Sequence, residues 1–124
     1  MRQTIGNDDF VHHFARYRTK DSDDYYSDIL INNITFKGMY ELFNYFESQE
    51  ESSGIERELE DVINEVQTHW FQYKSFEEWF GFYYETYMST NIKTVEDLAK
   101  SYEMIQLYSY DNPSKKEEII VCYP

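Results

Sequence analysis

The chain has little of the residues that usually staple or punctuate a protein: one cysteine, two prolines and four glycines in 124 residues. A single thiol, Cys122, cannot close an internal disulfide, which points to a reducing compartment. So few Gly and Pro leave no stretch that reads as a linker, and there is no internal repeat, so residues 1–124 are expected to form one domain. A chain of this length can bury roughly two thirds of its unfolded surface in one core. Basic residues are also scarce. Eleven Lys and Arg face 24 Asp and Glu, a formal charge of −13, which opposes direct binding to DNA, RNA or an anionic membrane because those surfaces reward clustered cations. No apolar run approaches the ~18 residues a membrane-spanning helix requires. Residues Met1 to Asp9 lack the apolar core of a signal peptide. A soluble, cytoplasmic protein is therefore expected.

What the chain has in quantity is aromatic side chains: 13 Tyr, 9 Phe and 2 Trp within a hydrophobic fraction of 41%. Burying such large side chains offsets the conformational entropy of folding, so order is expected rather than disorder. Phe10, Phe14 and Tyr17 at helical spacing behind Asn7 or Asp8 predict a short first helix over 7–17. The polar run Thr19 to Asp24 reads as an exposed loop, and Ile29-Leu30-Ile31 as a short buried strand. Thr35 is placed to cap a helix whose Phe36, Met39, Phe43 and Phe46 recur at three and four residues, and Gly54 to end it in a left-handed conformation. Residues 56–73 fit two patterns. Leu59, Ile63, Val66, Trp70 and Tyr73 suit a helix, whereas His69 to Tyr73 has strand composition and Val62, Val66 and Trp70 share a strand face; the reading taken is a helical turn over 56–61 that leads into a strand near 62–73. Ser75-Phe76-Glu77-Glu78 is a capping box, opening a helix with Phe76, Trp79 or Phe80, Tyr83 and Tyr87 as its apolar stripe. Thr94 to Asp97 repeats that logic before Leu98 and Tyr102. Strands over 104–110 and 118–123 flank the turn-forming Asp111-Asn112-Pro113-Ser114 as a hairpin. The fold class expected is α+β: a small antiparallel sheet, made of the C-terminal hairpin plus one central strand, with three or four helices covering one face.

Motifs for chemistry are missing. His12 and His13 are adjacent, so on a helix they diverge by about 100° and cannot both ligate one metal unaided. His69, beside Trp70, reads as a half-buried packing residue, and Cys122 as a buried structural thiol. Neighbouring acids such as Glu50-Glu51 and Glu60-Asp61 point apart on a helix or a strand, so they do not form the converging pair a glycosidase or Mg²⁺ site needs. There is no Gly-rich phosphate loop, nucleophile elbow or Cys-pair motif, so no enzymatic activity, metal or cofactor is expected.

Charge pattern is the more informative signal. Between residues 41 and 65 stand nine acids and one base, Arg57. Glu47 and Glu51, four apart on one helix face, have Cβ atoms only ~5–6 Å apart and repel. A second acidic group, Asp21, Asp23, Asp24 and Asp28, surrounds Tyr25-Tyr26. Solvation alone is the ordinary role of such faces. The sharper expectation is a surface that imitates the duplex phosphate array, with one negative charge per ~1.7 Å of axis, and occupies a basic groove kept for DNA. Tyr25, Tyr26, Tyr83 and Tyr84 cannot all point inward at their spacing, and tyrosines among acids suit a protein interface.

The stretch Phe36-Lys37-Gly38-Met39-Tyr40-Glu41-Leu42-Phe43-Asn44-Tyr45-Phe46-Glu47, followed by Glu50-Glu51-Ser52-Ser53-Gly54 and Glu60-Asp61-Val62-Ile63, resembles small acidic proteins carried by phages and mobile elements of Gram-positive bacteria. The Ser75 capping box and the terminal hairpin fit the same pattern, so the resemblance covers about residues 36–123. Related phage proteins include anti-CRISPR and antirestriction inhibitors, several of them DNA mimics. The resemblance implies an inhibitor in the bacterial host cytoplasm, aimed at the basic groove of a DNA-handling protein and above all a CRISPR effector nuclease, whose arginines read a short duplex motif before the guide RNA pairs. Under that expectation Glu47, Glu50, Glu51, Glu56, Glu58, Glu60 and Asp61 are the contact residues, with Asp23, Asp24 and Tyr25 secondary. The alternative is a small adaptor that binds a host protein through an aromatic surface including Tyr83 and Tyr84, its charge serving solubility.

Overall fold

Alternation along the last strand organises the molecule. Ile119, Ile120 and Val121 are consecutive, and all three are buried. Successive strand residues face opposite ways, so both sides of this strand must be covered. A computed structural model describes residues 6–20, 28–87, 92–108 and 116–123 of the chain. In chain order it contains α1 (Asn7–His13), a 3₁₀ turn at Ala15–Tyr17, α2 (Phe36–Ser53), α3 (Leu59–His69), β1 (Trp70–Tyr73), α4 (Phe76–Tyr87), α5 (Val95–Ser101), β2 (Glu103–Tyr108) and β3 (Lys116–Cys122). The strands form an antiparallel sheet in the order β1-β3-β2, with Trp70 opposite Cys122 on one side of β3 and Glu103 opposite Cys122 on the other. The α+β class and the hairpin expected from the sequence are present, and the strand from mid-chain takes an edge while β3 sits in the centre.

Helices cover both faces rather than one. Trp70, Leu107 and Ile120 face a core built from Phe10, Val11 and Phe14 of the N-terminal segment, Phe36, Met39, Leu42, Phe43 and Phe46 of α2, and Val62, Ile63 and Val66 of α3. Tyr73, Ile119 and Val121 face a second core with Trp79 of α4, Leu98 of α5 and Ile92, which precedes α5. A three-strand sheet with apolar side chains on both faces is stable only when sandwiched in this way.

Residues 56–69 differ most from the sequence reading. Helix α3 runs to His69, and the strand begins only at Trp70. Leu59, Val62, Ile63 and Val66 stand at i, i+3, i+4 and i+7, and burying that stripe outweighs the strand propensity of the residues after it. The 29–31 segment is not a sheet strand either. Ile29 makes isolated bridges to Thr19 and Thr35, and the chain then turns through Asn32 (φ 56°) and Asn33 (φ 61°), a left-handed pair that Asn tolerates better than most residues. Of the expected loop 19–24, Thr19 and Lys20 are exposed and the rest lies outside the described residues, as does the turn at 111–114. Gly6, not Asn7 or Asp8, occupies the cap position of α1, while Asp8 and Asp9 sit in its first turn.

The remaining caps agree with the sequence. Thr35 Oγ1 accepts the Gly38 N–H at 3.0 Å, and Gly54 ends α2 at φ 73°. Ser75 Oγ accepts from Glu78 N at 3.1 Å and Thr94 Oγ1 from Asp97 N at 3.2 Å. In both, the returning carboxylate reaches one residue beyond the cap: Glu78 accepts from Lys74 N at 2.7 Å and Asp97 from Lys93 N at 3.1 Å.

Gly38 holds the first turn of α2 against the sheet. A Cβ there would lie 2.1 Å from Gln72 Oε1, 3.1 Å from Gln72 Cδ and 3.2 Å from Ile120 Cδ1. Gln72 is buried and cannot simply swing away, because its Oε1 accepts from Thr35 N at 3.1 Å and its Nε2 donates to Glu118 at 3.0 Å. Gly38→Ala is therefore expected to destabilise the chain by about 1–3 kcal/mol in urea unfolding, despite the higher helix propensity of alanine. Unchanged stability would show that the contact relaxes freely.

Candidate functional site: the acidic end of α2 and α3

Gly54 turns the chain out of α2, its N–H donating to Glu50 O at 2.8 Å, and five residues later α3 begins. The connection is pinned from inside. Glu50 is only 8% exposed and its Oε1 accepts the Arg57 N–H at 2.9 Å. The Arg57 guanidinium turns back to Glu65, with Nη2 to Oε1 at 3.1 Å, and lies 5.4 Å from the centre of the Phe46 ring. Glu65 Oε2 also accepts from Trp70 Nε1 at 3.1 Å. The one base in the acidic stretch is thus engaged with the frame, and the sequence expectation for Glu50 is corrected: its carboxylate closes the loop and does not form part of the outer surface.

What remains outside is acidic. Glu51, Glu56, Glu58, Glu60 and Asp61 are exposed and Glu47 is half-buried. The short, pinned connection keeps the end of α2 beside the start of α3, so these groups occupy one end of the helix pair. Their electrostatic settings differ. Glu60 and Asp61 lie in the first turn of α3, where the positive end of the helix dipole stabilises anions by ~0.3–1 kcal/mol each. Glu47 and Glu51 lie toward the negative end of α2, whose last turn contains no base. There Glu51, in the last turn, is disfavoured by the dipole, and it stands four residues from the like charge of Glu47. Fold stability accounts for the α3 acids, whereas Glu51 is an exposed acid in the last turn of α2, where the dipole disfavours it.

Ile55 stands among these charges. It is 68% exposed and borders a shallow groove of about 420 Å³ lined also by Gln49, Glu50, Ser52, Ser53 and Arg57. Sequence reasoning missed it, although an isoleucine between Gly54 and Glu56 in a polar connection was itself a signal. Asp23, Asp24 and Tyr25 lie outside the described residues, as do the side chains of Tyr83, Tyr84 and Tyr87. Asp28, grouped with the second acidic cluster by sequence, is fully buried and pairs with Arg18 Nε at 2.6 Å.

Elsewhere the titratable groups play structural parts. His69 is half-buried, and His13, also half-buried, packs edge-on to Phe14 with its pKa lowered by burial and by Arg16. Among the described residues no group of three or more His, Cys, Asp or Glu could hold a metal ion, and no helix is long and apolar enough to cross a membrane. Tyr45 donates to Glu103 at 2.5 Å, and burial together with that carboxylate raises its pKa well above the usual tyrosine value. Burial, then Glu65 and Glu103, pushes the Cys122 thiol up to about 11. At pH 8 roughly one thiol in a thousand is then ionised, so Cys122 is expected to react with iodoacetamide far more slowly in the folded chain than in urea. Because the folded pKa lies above the unfolded value of 9.0, stability is lost as pH rises from about 9 to 11. Alkaline denaturation of Cys122→Ser should show a shallower loss across that window.

No protein-family model, curated protein or solved structure matches the chain.

Proposed function

We propose that the acidic end of α2 and α3 enters the cationic groove of a DNA-handling protein and excludes duplex DNA from it. The observation that supports this reading is the exposed Glu51 in the last turn of α2, at its negative end, close in sequence to the exposed Glu56 and Glu58 of the connection. Acids that cost the helix stability are relieved when arginines or lysines of a partner lie over them, through charge-assisted hydrogen bonds. Ile55 in their midst adds an apolar contact that a phosphate array lacks, suited to a pocket at the floor or wall of such a groove. The resemblance in sequence makes a CRISPR effector nuclease the first target: carboxylates over the arginines that read its flanking duplex motif would block recognition before guide pairing.

The test is DNA cleavage by a panel of guide-loaded single-protein effector nucleases with and without the chain. Inhibition relieved by excess duplex and weakened between 50 and 300 mM salt, roughly the range in which such contacts are screened, supports the reading. Ile55→Ala should weaken it by about 1–3 kcal/mol, as expected for a central apolar anchor. Inhibition insensitive to both salt and duplex would reject the mimic.

A second reading draws on Phe82, which is 71% exposed on α4 and offers an aromatic contact on another surface. If the chain is an adaptor docking by aromatic side chains, Phe82→Ser removes partner binding while reversal of the α2 acids leaves it intact.

A further inference from the structure

The two edges of the sheet are treated differently. Tyr123 donates its N–H to His69 O at 2.8 Å, which sets the phase of the β1–β3 ladder: Phe71 and Tyr73 bond to β3, while Trp70 and Gln72 turn their backbone groups outward. Asn32 closes that edge. Its Nδ2 donates to Trp70 O at 3.0 Å, and its carbonyl accepts the Gln72 N–H at 3.2 Å. On the opposite side the same phase gives Glu103, Ile105 and Leu107 to β3 and directs the N–H and C=O of Met104 and Gln106 away from the sheet. Among the described residues no backbone group of β2 bonds to anything but β3. Natural edges are usually blunted by Lys, by Pro or by a covering segment. Over residues 103–107 this one has neither Lys nor Pro, and Met104, Ile105 and Gln106 are only half-buried.

We infer that β2 is a strand-addition site that receives an extended segment of a basic partner protein, with backbone hydrogen bonds to Met104 and Gln106. Apolar side chains of the incoming strand would lie beside Ile105, and a basic one beside Glu103, which is exposed while one of its oxygens accepts from Tyr45. Charge selects the occupant. A second copy would bring another −13 to the same edge, whereas a lysine- or arginine-bearing strand is attracted. The backbone groups of this site are distinct from the acidic side chains at the end of α2 and α3, and the inference does not rest on the function proposed for those acids.

The probe is a capped peptide, Lys-Val-Thr-Val-Lys-Val-Thr-Val-Lys, with its Lys→Glu counterpart as control, followed by amide hydrogen exchange in the full chain. The basic peptide is expected to slow exchange at Met104 and Gln106 by about tenfold or more at saturation and to leave the acidic surface unaltered, while the Glu peptide does neither. Gln106→Pro removes an outward N–H without breaking a bond to β3, so it should keep the circular dichroism spectrum and lose about tenfold or more in peptide affinity. Should that variant unfold, the exchange pattern of the wild-type chain decides alone. Absence of protection at those two amides, equal binding of the Glu peptide, or protection that grows with protein concentration without peptide would each overturn the assignment, the last in favour of self-pairing.

Discussion

Replacing Glu47, Glu51 and Glu56 together with lysine is expected to abolish competition with duplex DNA, raising the inhibitory concentration by about a hundredfold or more. Each reversal removes two negative units, so the formal charge falls from −13 to −7 and the acidic end becomes mixed in sign. The single change Glu51→Lys, with Glu47 kept, has an opposite effect on folding. Glu51→Lys places a cation at the negative end of α2 and removes a repulsion with Glu47, so stability should rise by ~0.3–1 kcal/mol in urea unfolding. Loss of binding with a gain in stability is the signature of residues kept for a partner, because a merely solvating face gives no change in binding. Retained inhibition by the triple variant would end the DNA-mimic proposal.

The largest stability effect is expected at Asn32. Its single amide donates to Val66 O at 3.2 Å, Gln67 O at 2.9 Å and Trp70 O at 3.0 Å, which caps α3 where it passes into β1. Its backbone is left-handed at φ 56°. Asn32→Ala removes the donors, leaves the Gln67 and Trp70 carbonyls without that partner while Val66 O keeps the Trp70 N–H, and places in the left-handed region a residue that lacks the polar side chain by which asparagine tolerates it, about 1–2 kcal/mol. A total loss of about 3–4 kcal/mol is expected. Asn32→Gly should recover the strain component alone, so the difference between the two variants separates backbone from hydrogen bonding. Equal losses would show that the left-handed turn contributes nothing.

The acidic site was partly legible. Glu51, Glu56, Glu58, Glu60 and Asp61 are exposed as the charge pattern implied, because nothing nearby in sequence could neutralise so many acids. Glu50 was indistinguishable from Glu51 in sequence, yet its carboxylate accepts the N–H of Arg57, seven residues on within the connection, a contact only the loop conformation creates. Ile55 was overlooked because periodicity ignores a lone apolar residue between helices, although its exposure is what gives the site a shape.

Sequence alone determined the local structure wherever a side chain bonds to its own neighbourhood. Thr35, Ser75 and Thr94 start helices, and Gly54 stops one, by contacts within about four residues, so the residue types suffice. The charge imbalance is composition, and the C-terminal hairpin was legible because its two strand-like runs are neighbours in sequence around turn-forming residues. Tertiary structure decided what depends on distant partners: that 59–69 coils because its apolar stripe finds α2 and the sheet, that β3 lies between strands far apart in the chain, and that Asn32 shuts one sheet edge while no described residue shuts the other. Burial energy depends on which surfaces meet, and that is set by the whole fold rather than by any window of sequence.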